Sequence, residues 1–252
     1  MTTLPALRAT SPTDQIADLA RAYARANGPM MALVNKVGGG IEGQLDRLPR
    51  RLRAELERAT IAALTAAHGL ARVAEQGPDL GRRGSMLAAM ATGAAGGAGG
   101  LASSIAELPL TITVILYAIR REATLAGFDP NESGIRAACL EVFAAGSPLQ
   151  NDDGANSAFV SARLTITGPA IQKIIATVAP RLAAAMGQKL AAQMVPIVGA
   201  VTGAALNAAY LGYYREMARI RFALMRLAEQ HGGEAVVAAF AAATVPPKIS
   251  QA

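Results

Sequence analysis

Hydrophobic and polar positions follow a helical period along most of this chain, and Gly or Pro marks the breaks. Ile16, Leu19, Ala20 and Tyr23 recur every three or four positions, which predicts a helix from about Thr13 with Asp14 in its first turn. Asn27-Gly28-Pro29 ends it, and a second helix is expected over about Met30 to Leu48, strained by Gly38-Gly39-Gly40. Pro49 opens an amphipathic helix to about Glu75, with Leu52, Leu56, Ala59, Ala63, Ala67 and Leu70 on one side. A Gly-rich segment, Leu80 to Leu101, precedes a long apolar helix over 103–126 that Gly127-Phe128 closes. Asp129-Pro130-Asn131-Glu132 has the composition of a helix start, so a helix is expected from there to about Ala145. Residues 147–156 read as a loop and as a hinge candidate. Further helices are expected near 157–167, 169–186, 187–230 (bent at Pro196) and 233–243.

Two stretches depart from this alternation. From Gly84 to Ile119 the only charged residue is Glu107, and from Leu190 to Tyr214 there is none. Both are rich in Gly and Ala. A helical Gly costs roughly 1 kcal/mol relative to Ala unless close packing offsets it. The spacings Gly93-x-x-x-Gly97 and Gly96-x-x-x-Gly100 let helices meet backbone to backbone, in a protein core or in lipid. Leu190 to Tyr214 is long enough to span a bilayer, but Gln193, Pro196 and Asn207 make it a poor span. Leu108 to Ile119 is apolar but only about half the required length, so core helices of a bundle are the favoured reading. Each stretch has a Pro in its apolar run, Pro109 or Pro196, and an Arg just beyond, Arg120 or Arg215.

Composition narrows the picture. Apolar residues make up 52% of the 252, aromatics only 4%, and Trp is absent. Such a core suits close-packed helices better than a sheet. The formal charge is +6, and its densest basic run is Arg47, Arg50, Arg51, Arg53 and Arg58. A solvated helix face with i,i+4 pairs is the plain reading of that run, and an anionic membrane surface is the functional one. Nucleic acid is not expected as a partner: stacking aromatics are missing, and Asp46, Glu55 and Glu57 break the positive field. The single cysteine, Cys139, excludes an internal disulfide and reads as a buried, inert thiol. The first 15 residues lack the pattern of a secretion signal, which predicts a cytoplasmic protein, peripheral at most to the inner face of the cell membrane.

Catalytic templates fail. There is no phosphate-binding loop of the Gx₄GK[ST] kind, no GxSxG, no HExxH and no Cys/His cluster, so no metal and no cofactor is expected. Gly97-x-Gly99-x-x-Ala102 follows no strand and is not read as a dinucleotide loop. His68 and His231 read as packing or capping residues. The polar residues within or beside apolar helices remain: Glu107, Glu141, Lys189, Gln193 and Asn207. A buried charge must be paired or neutralised. Glu107 or Glu141 is therefore expected to pair with Lys189, with Asn207 and Gln193 completing a polar network between the two Gly/Ala stretches. A structural lock is the first reading, and a ligand or catalytic site the second.

Particular strings also carry a likeness. Glu107-Leu108-Pro109 with Thr111, Cys139-Leu140-Glu141-Val142-Phe143, and Lys189 followed by Ala191-Ala192-Gln193 form one set. Val195-Pro196 with Gly199 and Gly203, then Asn207, then Ala218-Arg219 before Phe222 form another. In order and separation, over roughly residues 50–235, these resemble the EcsC protein family of bacteria. Glu216 stands where that pattern has an acid, whereas Ile220-Arg221 replaces a small residue and a His. The resemblance implies a mainly helical cytoplasmic protein associated with membranes, beside a membrane transport system, and supplies no catalytic mechanism.

The expectation is therefore an all-α multi-helix bundle with its two charge-poor Gly/Ala blocks packed together. Residues 13–243 form one domain, between a flexible arm (1–12) and a flexible tail (244–252). The function expected first is non-enzymatic attachment to membrane or lipid. A hydrolase-like enzyme using buried carboxylates and a self-associating scaffold, a homo-oligomer, are the alternatives.

Overall fold

The computed structural model describes residues 11–28, 50–74, 80–98, 100–144, 199–244 and, between these last two, 175, 176, 178, 179, 182 and 183. The expected helix at 30–48, the loop at 147–156, the bend at Pro196, and Arg47, Lys189 and Gln193 lie outside them. Among the described residues every regular element is helical, so the architecture is an all-α bundle.

Helix α1 (Pro12–Ala26) starts as its sequence requires. The Ser11 hydroxyl accepts from the Asp14 amide at 3.1 Å and Pro12 opens the first turn, where its missing N–H costs nothing. Helix α2 (Arg50–Ala74) buries Thr60, Ala63, Leu64 and Ala67, one stripe at helical spacing. Helices α3 (Gly81–Ala98) and α4 (Gly100–Leu125) form a hairpin. The Gly127 turn closes α4: Gly127 has φ +84°, the Phe128 amide reaches back to the Ala123 carbonyl at 3.0 Å, and the Gly127 amide to Thr124 at 2.9 Å. Helix α5 (Ser133–Glu141) runs into a tighter turn, Val142–Ala144. It begins three residues later than its sequence suggests, capped by Glu132 rather than Asp129. The Asp129 carboxylate accepts from the Asn131 amide (2.8 Å), and buried Arg120 holds the Pro130 carbonyl (2.9 Å) and the Asn131 side chain (3.1 Å). These bonds fix 129–132 as a turn. Helices α6 (Gly199–His231) and α7 (Gly233–Thr244) end the described chain.

The centre is a three-helix unit of α3, α4 and α6. Ser85 meets Arg215 and Thr92 meets Asn207, so α3 and α6 are antiparallel. Asn207 meets Glu107 while Arg226 meets Ala126, so α4 and α6 are parallel. Helix α2 packs on α4, and α1 and α7 pack on each other and on α6. Tyr23 and Phe240 join α1 to α7 edge to face, 6.0 Å between ring centres. Helix α6 is the hub: Tyr210, Leu211, Tyr214, Met217, Ala218 and Phe222 are all buried. Each large apolar side chain so buried contributes about 1.5–3 kcal/mol.

The two Gly/Ala blocks lie against each other here, and glycine makes that possible. A Cβ at Gly93 would collide with the Gly203 carbonyl oxygen and lie 2.9 Å from Asn207 Cβ. Side chains at this crossing would force the helices apart.

Candidate functional site

At the Gly/Ala end of the three-helix unit, four polar side chains from three helices converge. Asn207 of α6 and Thr111 of α4 are fully buried, and Glu107 of α4 is buried. The Asn207 Nδ2 donates to Glu107 Oε1 at 2.6 Å and to the hydroxyls of Thr111 and Thr92, each at 3.1 Å. Thr111 donates its own proton to Glu107 Oε1, and Thr92 donates to the Ala89 carbonyl at 3.0 Å. Both threonines can therefore only accept from Asn207, which orients the amide. The second Glu107 oxygen lies against Gly96, where any Cβ would overlap it. Among the described residues Asn207 Oδ1 has no hydrogen-bond partner, at a typical cost of about 1–3 kcal/mol.

The sequence-predicted residues thus separate. Glu107 and Asn207 meet between the Gly/Ala blocks, with Thr92 and Thr111 as partners that the sequence reading did not assign. Glu141 goes elsewhere: it accepts from buried Arg221 at 2.7 Å, an ion pair between the end of α5 and α6. The residue that departs from the family-like string, Arg221, is the one that holds it. Of the basic run, Arg50, Arg51 and Arg53 lie at the start of α2, and Arg58 is exposed with its Nε bonded to the Ala54 carbonyl at 3.2 Å.

The other end of the unit is charged. Arg215 of α6 is 6% exposed and donates to Ser85 Oγ at 2.6 Å, and Ser85 in turn donates to the Gly81 carbonyl at 2.7 Å. Glu122 of α4 is 7% exposed. Burial pushes its carboxyl above the usual range, while Arg82, Arg215, Arg121 and Arg219 oppose the rise through space. Burial lowers the Arg215 pKa; Arg82 adds to the drop and Glu122 opposes it. Arg219 is bound bidentately by Glu216 at 2.6 and 3.0 Å, and that bond raises its pKa more than burial depresses it.

Glu122 and Arg219 line a cleft of about 440 Å³, shared with Gln15 of α1 and with Arg226 and Gln230 of α6. Its apolar wall is Leu125, Ala126, Ala223 and Leu227. Arg226 is committed to structure: it donates to the Ala126 and Gly127 carbonyls at 2.9–3.1 Å and stacks 4.5 Å over the Phe128 ring. Sequence reasoning missed Glu122 because Arg120-Arg121-Glu122 looks like a solvated run. The usable signal was phase: Glu122 continues the buried stripe Leu108, Ile112, Ile115, Ile119, and Arg215 continues Leu211 towards Ala218 and Phe222. Among the described residues no cluster of His, Cys, Asp or Glu is arranged to hold a metal ion.

An all-α protein built on a three-helix unit, with a buried polar lock at one end and a charged cleft at the other, is the class that fold and site define. The chain belongs to the EcsC protein family, whose model matches residues 70–227 and so takes in both ends of the unit. No curated protein and no solved structure matches it significantly.

Proposed function

We propose that this EcsC protein is non-enzymatic and associates, peripherally or conditionally, with the inner face of a cell membrane, beside a membrane transport system. The observation that carries this reading is the outer surface of the Gly/Ala blocks. Leu87 (66% exposed) and Met90 (40%) stand on α3 and Val201 (74%) on α6. Exposed Ala91, Ala95 and Ala98 continue the α3 face, exposed Ala205 continues the α6 face, and exposed Arg82 and Arg83 flank the α3 face at its N-terminal end. Large apolar side chains on a charge-free surface, next to arginines, suit shallow insertion below anionic headgroups. Burial of each such side chain contributes about 1.5–3 kcal/mol when complete, and each nearby arginine about 1 kcal/mol at an anionic surface. Among the described residues no helix is long and apolar enough to cross a membrane, which is in keeping with attachment at the surface.

Flotation of the purified chain with vesicles tests this. Binding to phosphatidylglycerol vesicles is expected, released by high salt and abolished by Leu87→Glu with Val201→Glu. Retention through carbonate would point instead to insertion of a Gly/Ala block. No flotation together with a stable oligomer would replace membrane attachment by the scaffold reading. A second reading, a hydrolase-like enzyme working through a buried carboxylate, is favoured by Glu122 in its cleft rather than by Glu107. Its mark would be pH-dependent turnover lost in a folded Glu122→Gln variant.

A further inference from the structure

Glu122 of α4 is more than nine-tenths buried, and its side chain makes no hydrogen bond or ion pair among the described residues. It lines the cleft of about 440 Å³, a size suited to a small molecule. A buried carboxyl without a partner is costly, and a bound molecule that hydrogen-bonds to it would remove much of that cost. Leu125, three residues along α4, lines the same cleft and is 63% exposed, so a large apolar side chain also lacks cover there. The contacts of Asn207 with Glu107 and of Arg226 with Ala126 share one offset of 100 residues. That register sets Glu122 level with Arg219 and Ala223, and Leu125 nearer Leu227. The α6 floor of the cleft, Arg219 to Gln230, is roughly 16 Å long at 1.5 Å per residue. An occupant of matching shape has a polar head at Glu122 and an apolar body along α6.

The head is uncharged. Arg219 is held by Glu216, and Arg226 by backbone carbonyls and Glu229, so neither guanidinium calls for an anion. Nor does Glu122 call for a cation, because Arg82, Arg215, Arg121 and Arg219 already offset its charge through space. A hydroxyl donates to a carboxylate and accepts from a carboxylic acid, so it fits Glu122 in either protonation state. An ammonium fits only the first state, and a carboxylate only the second. We propose that this cleft binds a neutral alcohol with an apolar chain, its hydroxyl on Glu122 and its chain along Leu125, Ala223 and Leu227. No lining residue belongs to the vesicle-binding surface, so the site stands or falls separately from it.

Three probes of one chain length, 1-hexanol, hexanoate and hexylammonium, test this near neutral pH. Each is titrated into the full isotope-labelled chain and followed by the backbone amide signals of Ala126, Ala223 and Leu227. Hexanol is expected to shift these signals and to bind about fivefold tighter than either ion. Glu122→Gln keeps a donor and an acceptor and is expected to hold hexanol within about twofold, whereas Glu122→Leu is expected to weaken it about tenfold. Leu125→Ser, at an exposed position, is expected to retain the fold and to weaken hexanol about fivefold. An ion that binds as tightly as hexanol, hexanol indifferent to Leu125→Ser, or shifts that bypass Ala223 and Leu227 overturn the proposal. Vesicles name the source of the alcohol. A gain in flotation when diacylglycerol is added to phosphatidylglycerol, lost in Leu125→Ser, makes it a membrane lipid; equal flotation with hexanol binding intact makes it a soluble alcohol.

Discussion

The two ends of the α3/α4/α6 unit handle buried polarity in opposite ways. At the Gly/Ala end, Glu107 is in direct contact with three helices: Thr111 and Asn207 bond one oxygen and Gly96 presses on the other. At the charged end, Glu122 faces several arginines at a distance and a cleft at close range. The first arrangement resists change because glycine brings the backbones together and leaves no room. The second has room: Glu122 lines a cleft beside Arg219, whose own charge is taken up by Glu216. Similar residue types, a carboxylate facing helical partners, thus give a lock in one case and an open site in the other. Backbone separation decides which.

The largest effect that would test this contrast comes from one methyl group. Gly93→Ala is expected to destabilise by about 3 kcal/mol, because its Cβ strikes the Gly203 carbonyl and neither backbone can yield. Gly212→Ala, on α6 with nothing within 4 Å of the added Cβ, is expected to be neutral or to stabilise by up to about 1 kcal/mol. Urea unfolding of both variants settles the matter, and equal stabilities would remove the backbone-contact account. Next in size is Asn207→Ala, expected to cost about 2–4 kcal/mol by leaving the Glu107 carboxylate buried with fewer donors. Combining it with Glu107→Ala should cost clearly less than the sum of the two single changes.

Glu122→Gln should act in the other direction and more weakly. A carboxyl whose pKa is raised on folding adds stability below its ordinary value of 4.5 and forfeits it as pH rises through the folded value. The amide avoids that loss. Thermal melts from pH 4 to 8 should show the variant gaining a few degrees over the native chain on the alkaline side only. Smallest of all is Glu216→Gln: its pair with Arg219 is 27% and 41% exposed, so a loss under about 1 kcal/mol is expected by denaturant titration.

Much of the architecture was legible in the residue pattern, for identifiable reasons. Helix α1 announces itself through Ser11, Pro12 and Asp14, and α4 ends at a glycine that the positive φ of Gly127 demands. The mutual packing of the Gly/Ala blocks follows from the cost of helical glycine, which only close approach offsets. The start of α5 was misplaced because Asp129 can cap a helix or close an Asx-type turn, and Arg120, ten residues away, decides between them. The site was legible only where a lone charge stood in an apolar run, as Glu107 does. Glu122 and Arg215 were hidden among neighbours such as Arg121 and Glu216 that reach solvent. Their burial depends on helical phase and on the packing of α3, α4 and α6, which local composition does not encode.

The parallel pairing of α4 with α6 also sets a schedule for biosynthesis. Glu107 waits for Asn207, and Ala126 for Arg226, each about a hundred residues further along the chain. At about 5–20 residues per second, the nascent α3/α4 hairpin spends roughly 5–20 s with Gly93 and Glu107 not yet covered by α6. For that interval the closest-packed surface of the finished protein is its most vulnerable one, open to a neighbouring nascent chain or to a chaperone.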